Sequence, residues 1–449
     1  MIMQKISMSP PFNPEELKAI AASVLQQAKK LGASAAEVSI AGNTGFSLTV
    51  RQQHTEELVY HRNRGVAINL YHGQKCGAAS CSELTPAALT QAVEAAWTIA
   101  QQTDADPYAG LATKALMAKQ FPDLAIYYPW EITPEQGMHL AKSCEQAALS
   151  YAEITHSEGA NLSTHASCDV YANSHDFCQA VLSTQHSLHC TVVAEKNGSM
   201  QRDYSYLTSV NPETLKKVDA IGEDAALRTI KRLGAKPLKT RKAPVIFAAE
   251  VARSLLGHFI GAISGGAIYR QASFLVDHQG KKIFPTHITI FERPYLPSAL
   301  GSCAFDSEGV ATREQNFVTQ GVLDRYVLGS YSARRLGLET TANADGVHNL
   351  MITHSDWDLK TLLKQMGTGL LVTELLGQGA NLMTGDYSRG ASGFWVEAGE
   401  IAYPVEGVTV AGNLKDLYQH ILAVGNDIDI RGNIRTGSIW IESMMIGGE

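Results

Sequence analysis

Apolar positions along the chain follow two periods. Leu17, Ile20, Ala21, Val24 and Ala28 fall on one face of a 3.6-residue repeat. Asn13 stands where an N-cap belongs, Pro14 suits a first turn and Gly32 suits a stop, so a helix is expected between them. Period-two segments follow. Glu37–Ile40, Phe46–Val50, Glu57–Tyr60, Val66–Tyr71 and Cys76–Ser80 read as short strands, most of them separated by Gly or polar turns. A second helix is expected from Thr85-Pro86 to about Gln102. Thr103–Asp123, with two prolines and little periodicity, reads as a linker.

The plan then recurs. Thr133-Pro134 opens a helix to about Tyr151, and strands run from Ile154 to Leu207 with Asn197-Gly198 as a hairpin turn. A helix from about Pro212 to Leu233 closes the unit. Lys236–Lys242 reads as a solvated basic run ahead of a strand at Val245–Ala248. Beyond it Gly, Val, Ile, Thr and turns dominate, with helices expected near Glu250–Ile263, Ser330–Gly337, Asp358–Leu363 and Leu414–Val424. The fold class is therefore expected to be α+β. Two helix–antiparallel-sheet–helix units, residues 13–105 and 124–235, precede a β-rich C-terminal domain at 243–449, and residues 1–12 read as a disordered tail.

Composition narrows the function classes. The 449 residues are 45% hydrophobic and 18% charged, which is globular usage. A net charge of −7 lacks the basic excess that a nucleic-acid groove or an anionic membrane surface wants, so neither partner is expected. No apolar run reaches the roughly 18 residues of a membrane span. Met1–Pro11 has one lysine and no apolar core of a signal peptide. The seven cysteines are odd in number and form no CxxC, so reduced thiols in a cytoplasmic protein are the expectation.

Common catalytic templates fail. Gly432–Ser438 has the glycine spacing of a phosphate loop but not its lysine. Gly367-Thr368-Gly369 begins a dinucleotide fingerprint and does not continue it. Gly390-Ala391-Ser392-Gly393 resembles a nucleophile elbow in letters only. None of the fifteen histidines has a partner at i+4, so HExxH is absent. One cluster carries a metal hypothesis: His156, His165, Cys168, His175, Cys178, His186, His189 and Cys190. The segment alternates as strands, however, and a strand sends i and i+3 to opposite faces. Polar strand residues are the competing reading.

The stretch Met366–Leu414, MGTGLLVTELLGQGANLMTGDYSRGASGFWVEAGEIAYPVEGVTVAGNL, resembles the hallmark of the PmbA/TldD family, in particular its PmbA (TldE) branch. Phe305–Arg313 (FDSEGVATR), Tyr269–Asp277 (YRQASFLVD) and Ile441–Gly448 (IESMMIGG) agree with it. The resemblance implies a cytosolic metallopeptidase built from two related subunits. Its TldD-type member carries zinc on an HExxxH motif plus a cysteine near its C-terminus and cleaves unfolded or flexible peptides in an interior cavity. The family is linked to peptide-antibiotic maturation and antitoxin turnover, and has an older description as a modulator of DNA gyrase.

Carried over residue by residue, the zinc motif falls on the helix Ala248–Ile263, where the chain reads Arg253-Ser254-Leu255-Leu256-Gly257-His258. Arg253 stands at the first ligand, Ser254 at the general base and His258 at the second ligand; the cysteine position falls near Ile434. One ligand of three is not a site. No metal or cofactor is therefore expected in this chain, zinc being expected in a TldD-type catalytic partner. His258 reads as a core or cavity-lining residue. Strands Gly393–Val396 and Ile401–Val405 are expected to offer backbone edges to an extended peptide. Arg389, Ser392, Trp395 and Glu397 are the substrate-cavity candidates. The leading reading is the non-zinc subunit of a heteromeric peptidase, a homodimer when isolated. A stand-alone binding or regulatory protein and an independent hydrolase are the alternatives.

Overall fold

The structure, a computed structural model, describes residues 13–448; the tail expected at 1–12 lies outside the described residues. Helix α1 (Pro14–Lys30) starts at Asn13, whose side chain accepts from the Glu15 N–H at 2.9 Å. Strands β1 (Ala35–Arg51), β2 (His54–His72) and β3 (Lys75–Cys81) and helix α2 (Pro86–Gln102) follow. Four expected strands are thus two. Glu37–Ile40 and Phe46–Val50 belong to one strand because Gly42 through Gly45 pair on both sides. Gly42 lies opposite Arg64 and Cys168, and Gly45 opposite His61 and His165. Gly45 is there for close approach, not for a turn: a Cβ on it would collide with the Thr164 carbonyl.

The second unit comprises α3 (Pro134–Leu149), β4 (Ile154–Asn173), β5 (Phe177–Lys196), β6 (Ser199–Ser209) and α4 (Val218–Lys231). The helix expected from Pro212 is broken: Pro212–Lys216 is a 3₁₀ turn, and Lys217 leaves helical geometry at φ −98° and ψ 58°. All six strands form one antiparallel sheet in the order β3-β2-β1-β4-β5-β6. β1 joins the units. Its even-numbered positions face the helices along its whole length, Val38 and Ile40 packing with Leu17, Val24 and Val93, and Phe46 and Leu48 with Leu162, Leu188 and Ile221. The segment 103–123 is irregular apart from a 3₁₀ turn, but it is docked. The Arg334 guanidinium donates to the carbonyls of Tyr108, Gly110 and Leu111 at 2.7, 2.8 and 3.1 Å.

The C-terminal region runs β7 (Arg241–Phe247), α5 (Ala249–Ala262), α6 (Gly265–Tyr269), β8 (Ile290–Glu292), β9 (Gln315–Thr319), β10 (Val322–Leu323), α7 (Ser330–Leu336), β11 (Leu350–Ile352) and α8 (Leu359–Met366). It continues with β12 (Gly369–Leu376), β13 (Asp386–Glu397), β14 (Glu400–Asn413), α9 (Leu414–Gln419), β15 (Ile421–Val424), β16 (Ile434–Arg435) and β17 (Ile439–Gly447). Strands β14-β13-β12-β7-β17 form a barrel, since β14 also pairs with β17, while β10-β9-β8-β11-β16 form a second sheet. Val245, Phe247, Leu370, Val372, Tyr387 and Trp395 share a core with Leu255 and Phe259 of α5.

Three expectations change here. The helix expected over Leu414–Val424 ends at Gln419, and Ile421–Val424 is β15, captured by pairing with β17. The basic run is partly structural, Arg241 and Lys242 pairing with Ile446 and Met445. Gly393–Val396 has no edge to lend, because Gly393 lies between Val372 and Val405. Among the described residues, no helix is long and apolar enough to cross a membrane, and all seven cysteines are free thiols.

Candidate functional site

Helix α5 follows β7 almost without a loop, so its start is pinned to the barrel. Ala248 at the N-cap has no capping side chain; the Ser438 hydroxyl, from just before β17, accepts from the Ala249 N–H at 3.1 Å and donates to Asp427 at 2.6 Å. Ala252, Leu255, Leu256 and Phe259 are buried. Glu250, Arg253 and Ser254 instead line a cavity of about 230 Å³ between α5, α4, β6, β12 and β13.

Charge pairs wall this cavity. Arg228 of α4 makes a two-pronged contact with Glu250, at 2.9 and 2.6 Å, and reaches Asp203 at 3.7 Å. Arg232 holds Asp203 at 3.4 Å and Glu374 of β12. Arg431 lies 3.3 Å from Glu250, bonds Asp429 at 2.8 and 3.0 Å, and stacks 4.3 Å from the Tyr206 ring centroid. Burial opposes ionisation of Asp429, but Arg431 and then Arg253 outweigh it and hold the carboxyl below its usual range. Apart from Arg253, none of these partners stands out from the sequence. The available signals were the i,i+4 pair Arg228/Arg232 on a helix and the alternation of Tyr204 and Tyr206 on a strand.

Each sequence-derived position has a definite place. Arg253 reaches Asp429 at 3.9 Å with its side chain 37% exposed. The Ser254 hydroxyl donates back to the Val251 carbonyl at 2.7 Å. His258 is half-buried, edge-on to Tyr387 at 5.9 Å, with its Nε2 buried and unpaired among the described residues. Burial, then the Arg389 charge, holds the His258 imidazole below its ordinary pKa. Ile434 lies beside Gly257 of α5, so the two ends of the sequence motif do meet in space. As a donor set, however, these four do not fit zinc. A guanidinium, an alkyl side chain and a hydroxyl already donated leave one imidazole, where a catalytic zinc takes three protein ligands.

Of the four substrate-cavity candidates, Arg389 lines this cavity. Ser392 is buried within β13. Trp395 is part of the core, under the Arg241 guanidinium at 5.0 Å, and its indole N–H donates to exposed Glu397 at 3.1 Å. The His/Cys-rich strands are dispersed among other partners. His165 meets His61 at 2.8 Å, His186 meets Thr164 and the Tyr128 carbonyl, and His189 meets Thr191. Cys168 and Cys178 pack in the α1/α2 core, Cys190 in the α3/α4 core, and the exposed His156 ring contacts the Thr155 carbonyl. The His175 ring has no such partner among the described residues; its backbone N–H donates to Asn173.

A larger cavity of about 880 Å³ lies on the sheet face turned away from the helices. Ser39, Ala67 and Asp169 form its floor, and the loop Cys303–Ser307 with Asp345 forms its roof. Burial, then Glu308, pushes the Asp306 carboxyl up to about 7.

Residues 240–448 match the PmbA/TldA metallopeptidase C-terminal domain, 127–233 its central domain and 36–100 its domain 1. The metalloprotease PmbA of Escherichia coli O157:H7 is 46% identical over 415 residues, 92% of each chain. A PmbA homologue from Haemophilus influenzae is 44% identical over 436 residues, 97% of this chain and 96% of that one. Among solved structures, a Bacteroides thetaiotaomicron protein described as a candidate modulator of DNA gyrase superposes with a TM-score of 0.92 at 27% identity, over 97% of this chain and 99% of its own. TldE from Thermococcus kodakarensis shares the fold, with a TM-score of 0.83 at 19% identity over 96% and 100% of the two chains.

Proposed function

The chain belongs to the PmbA/TldD metallopeptidase family, and from that premise we propose that it is the non-zinc subunit of a heteromeric peptidase acting on unfolded or flexible peptides. The observation that carries this reading is the donor set on α5. Arg253 points at Asp429, the Ser254 hydroxyl is spent on its own helix, and Ile434 faces Gly257, leaving His258 alone. Zinc and the general base would come from a TldD-type partner. This chain's own part is to bind and orient the peptide. The cavity of about 880 Å³ under the loop Cys303–Ser307 offers room for an extended segment, and the smaller cavity beside α5 offers charged groups to hold it.

The test pairs two measurements on purified protein. Zinc per chain is measured by mass spectrometry, and cleavage of an unfolded peptide is followed with the chain alone, the TldD-type partner alone and the two mixed. The expected result is zinc well below one per chain, silence alone and activity that needs the mixture. Stoichiometric zinc with cleavage by the lone chain would overturn the reading. Peptide or protein capture that persists while the mixture cleaves nothing beyond the partner alone would favour a stand-alone binding protein.

A further inference from the structure

We propose that Arg253 and Arg389 form a receptor for a peptide carboxylate, set where the family's zinc motif falls on this chain. The proposal deepens the reading above and rests on it for the claim that this position is free of metal.

The cavity beside α5 shows three carboxylates, Asp203, Glu250 and Glu374, and three guanidinium groups, Arg228, Arg253 and Arg389. Counted on the wall alone, the charges cancel. The contacts do not follow that count. Arg228 takes Glu250 in a two-pronged contact, Arg232 takes Asp203 and Glu374, and Arg431 adds to Glu250 from behind. Arg232 and Arg431 are not wall residues, so two of the three wall carboxylates, Asp203 and Glu374, are held from outside the cavity, while Arg228 is spent on the third. The wall cations left over are Arg253 and Arg389.

Arg253 has one long contact, 3.9 Å to Asp429, and that carboxylate already accepts two bonds from the Arg431 guanidinium. Arg389 has no carboxylate partner among the described residues, and its buried Nε makes no hydrogen bond. Its alkyl stem lies against Gly379, where a Cβ would crowd it, so its path from β13 is defined by packing. Next to it the buried Nε2 of His258 is also unpaired. A guanidinium with a buried, unbonded Nε and no carboxylate partner keeps donors to spare, and an entering anion can take them. Arginine's planar fork suits a carboxylate in particular, since two parallel N–H···O bonds fit its two oxygens. A cavity of about 230 Å³ is the size of a chain end or an acidic side chain, not of a folded partner. A guanidinium at a metal's place cannot activate water, but it can hold the anionic part of a substrate while another subunit cuts.

Two sources share this chemistry, the peptide's C-terminal carboxylate and an Asp or Glu side chain. Three unstructured Gly/Ser/Ala peptides of equal length distinguish them: a free acid, its C-terminal amide, and the amide with one internal Glu. Binding to the isolated full chain is read by fluorescence anisotropy in EDTA, so no cleavage intervenes. The expected result is that one carboxylate peptide binds about tenfold or more tightly than the uncharged amide, as a charge-assisted pair warrants. Preference for the free acid assigns the C-terminus, and preference for the internal Glu assigns a side chain. Arg389→Gln and Arg253→Gln should each shrink the ratio towards one, and Arg389→Lys should restore part of it. Circular dichroism checks that each variant is folded. Equal binding of all three peptides, no binding at all, or a preference that survives both Gln variants would overturn the proposal. Because the assay uses neither zinc nor the partner, its failure leaves the subunit reading standing, and cleavage by the lone chain would leave the binding result readable.

Discussion

His186 is fully buried in β5 with both ring nitrogens occupied. With Nε2–H donating to the Tyr128 carbonyl at 3.0 Å, Nδ1 is the acceptor for the Thr164 hydroxyl at 2.6 Å. Burial pushes its pKa down to about 4. The folded protein therefore binds this proton less readily than the unfolded chain, whose imidazole titrates near 6.5. The stabilisation is complete above about pH 6.5 and is lost as pH falls towards 4, a loss of up to about 3 kcal/mol from this residue. Urea midpoints should hold between pH 8 and about pH 6.5 and fall from there towards pH 4, and His186→Gln should flatten part of that slope. An unchanged slope in the variant would mean that the acid sensitivity resides elsewhere. The sequence marked His186 as one of eight candidate ligands. Only the cross-strand register, which sets it opposite Ser209 and beside Thr164, turned it into a satisfied core residue.

At the scale of an element, α5 depends on a residue far away in sequence. Ser438 is fully buried, caps the helix at Ala249 and is itself held by Asp427. Ser438→Ala should cost about 1–2 kcal/mol, since it removes a cap and leaves a buried helix N–H unpaired. The check is a lower thermal midpoint, with Ser438→Thr closer to wild type than Ala. No local signal announces this cap, because Ala248 carries no capping group. The reverse error arose in β1 and β2, where Gly and polar residues read as turns. Punctuation by glycine is a local rule, and neighbouring strands on both sides of β1 overrode it. Helices with their own caps, such as α3 with its reciprocal Thr133/Gln136 pair, were legible because the whole signal lies within one turn.

Across the molecule, the arginine network ties the N-terminal sheet to the barrel. Arg228 of α4 and Arg232 at its C-cap cross to Glu250 of α5 and Glu374 of β12, and Arg431 crosses to the Tyr206 carbonyl of β6 at 3.2 Å. Arg228→Met should destabilise by about 2–4 kcal/mol, because it leaves Glu250 and Asp203 buried with fewer counter-charges, and the 24% exposure of the Arg228 side chain argues against a larger figure. It should also loosen coupling between the two parts. Calorimetry is expected to resolve a broadened or split transition, and a single, unshifted transition would show that packing elsewhere does the coupling.

The sequence by itself determined the alternation of helices and strands, the repeated helix–strands–helix order and the family, because these rest on periodicity, caps and a long run of matching residues. The resemblance also led to Arg253, Ser254, His258 and Ile434 as the expected positions of a metal motif. Tertiary structure alone decided that two strand sets form one sheet, that Ile401–Val405 and Gly393–Val396 pair with each other, and that Arg253 and Arg389 share a cavity. The reason is physical. A period or a cap is set by neighbours within a few residues, whereas the partner of a buried charge is set by whatever the fold brings within hydrogen-bonding range, here Arg232 to Glu374, 142 residues apart, and Arg431 to the Tyr206 carbonyl, 225 residues apart.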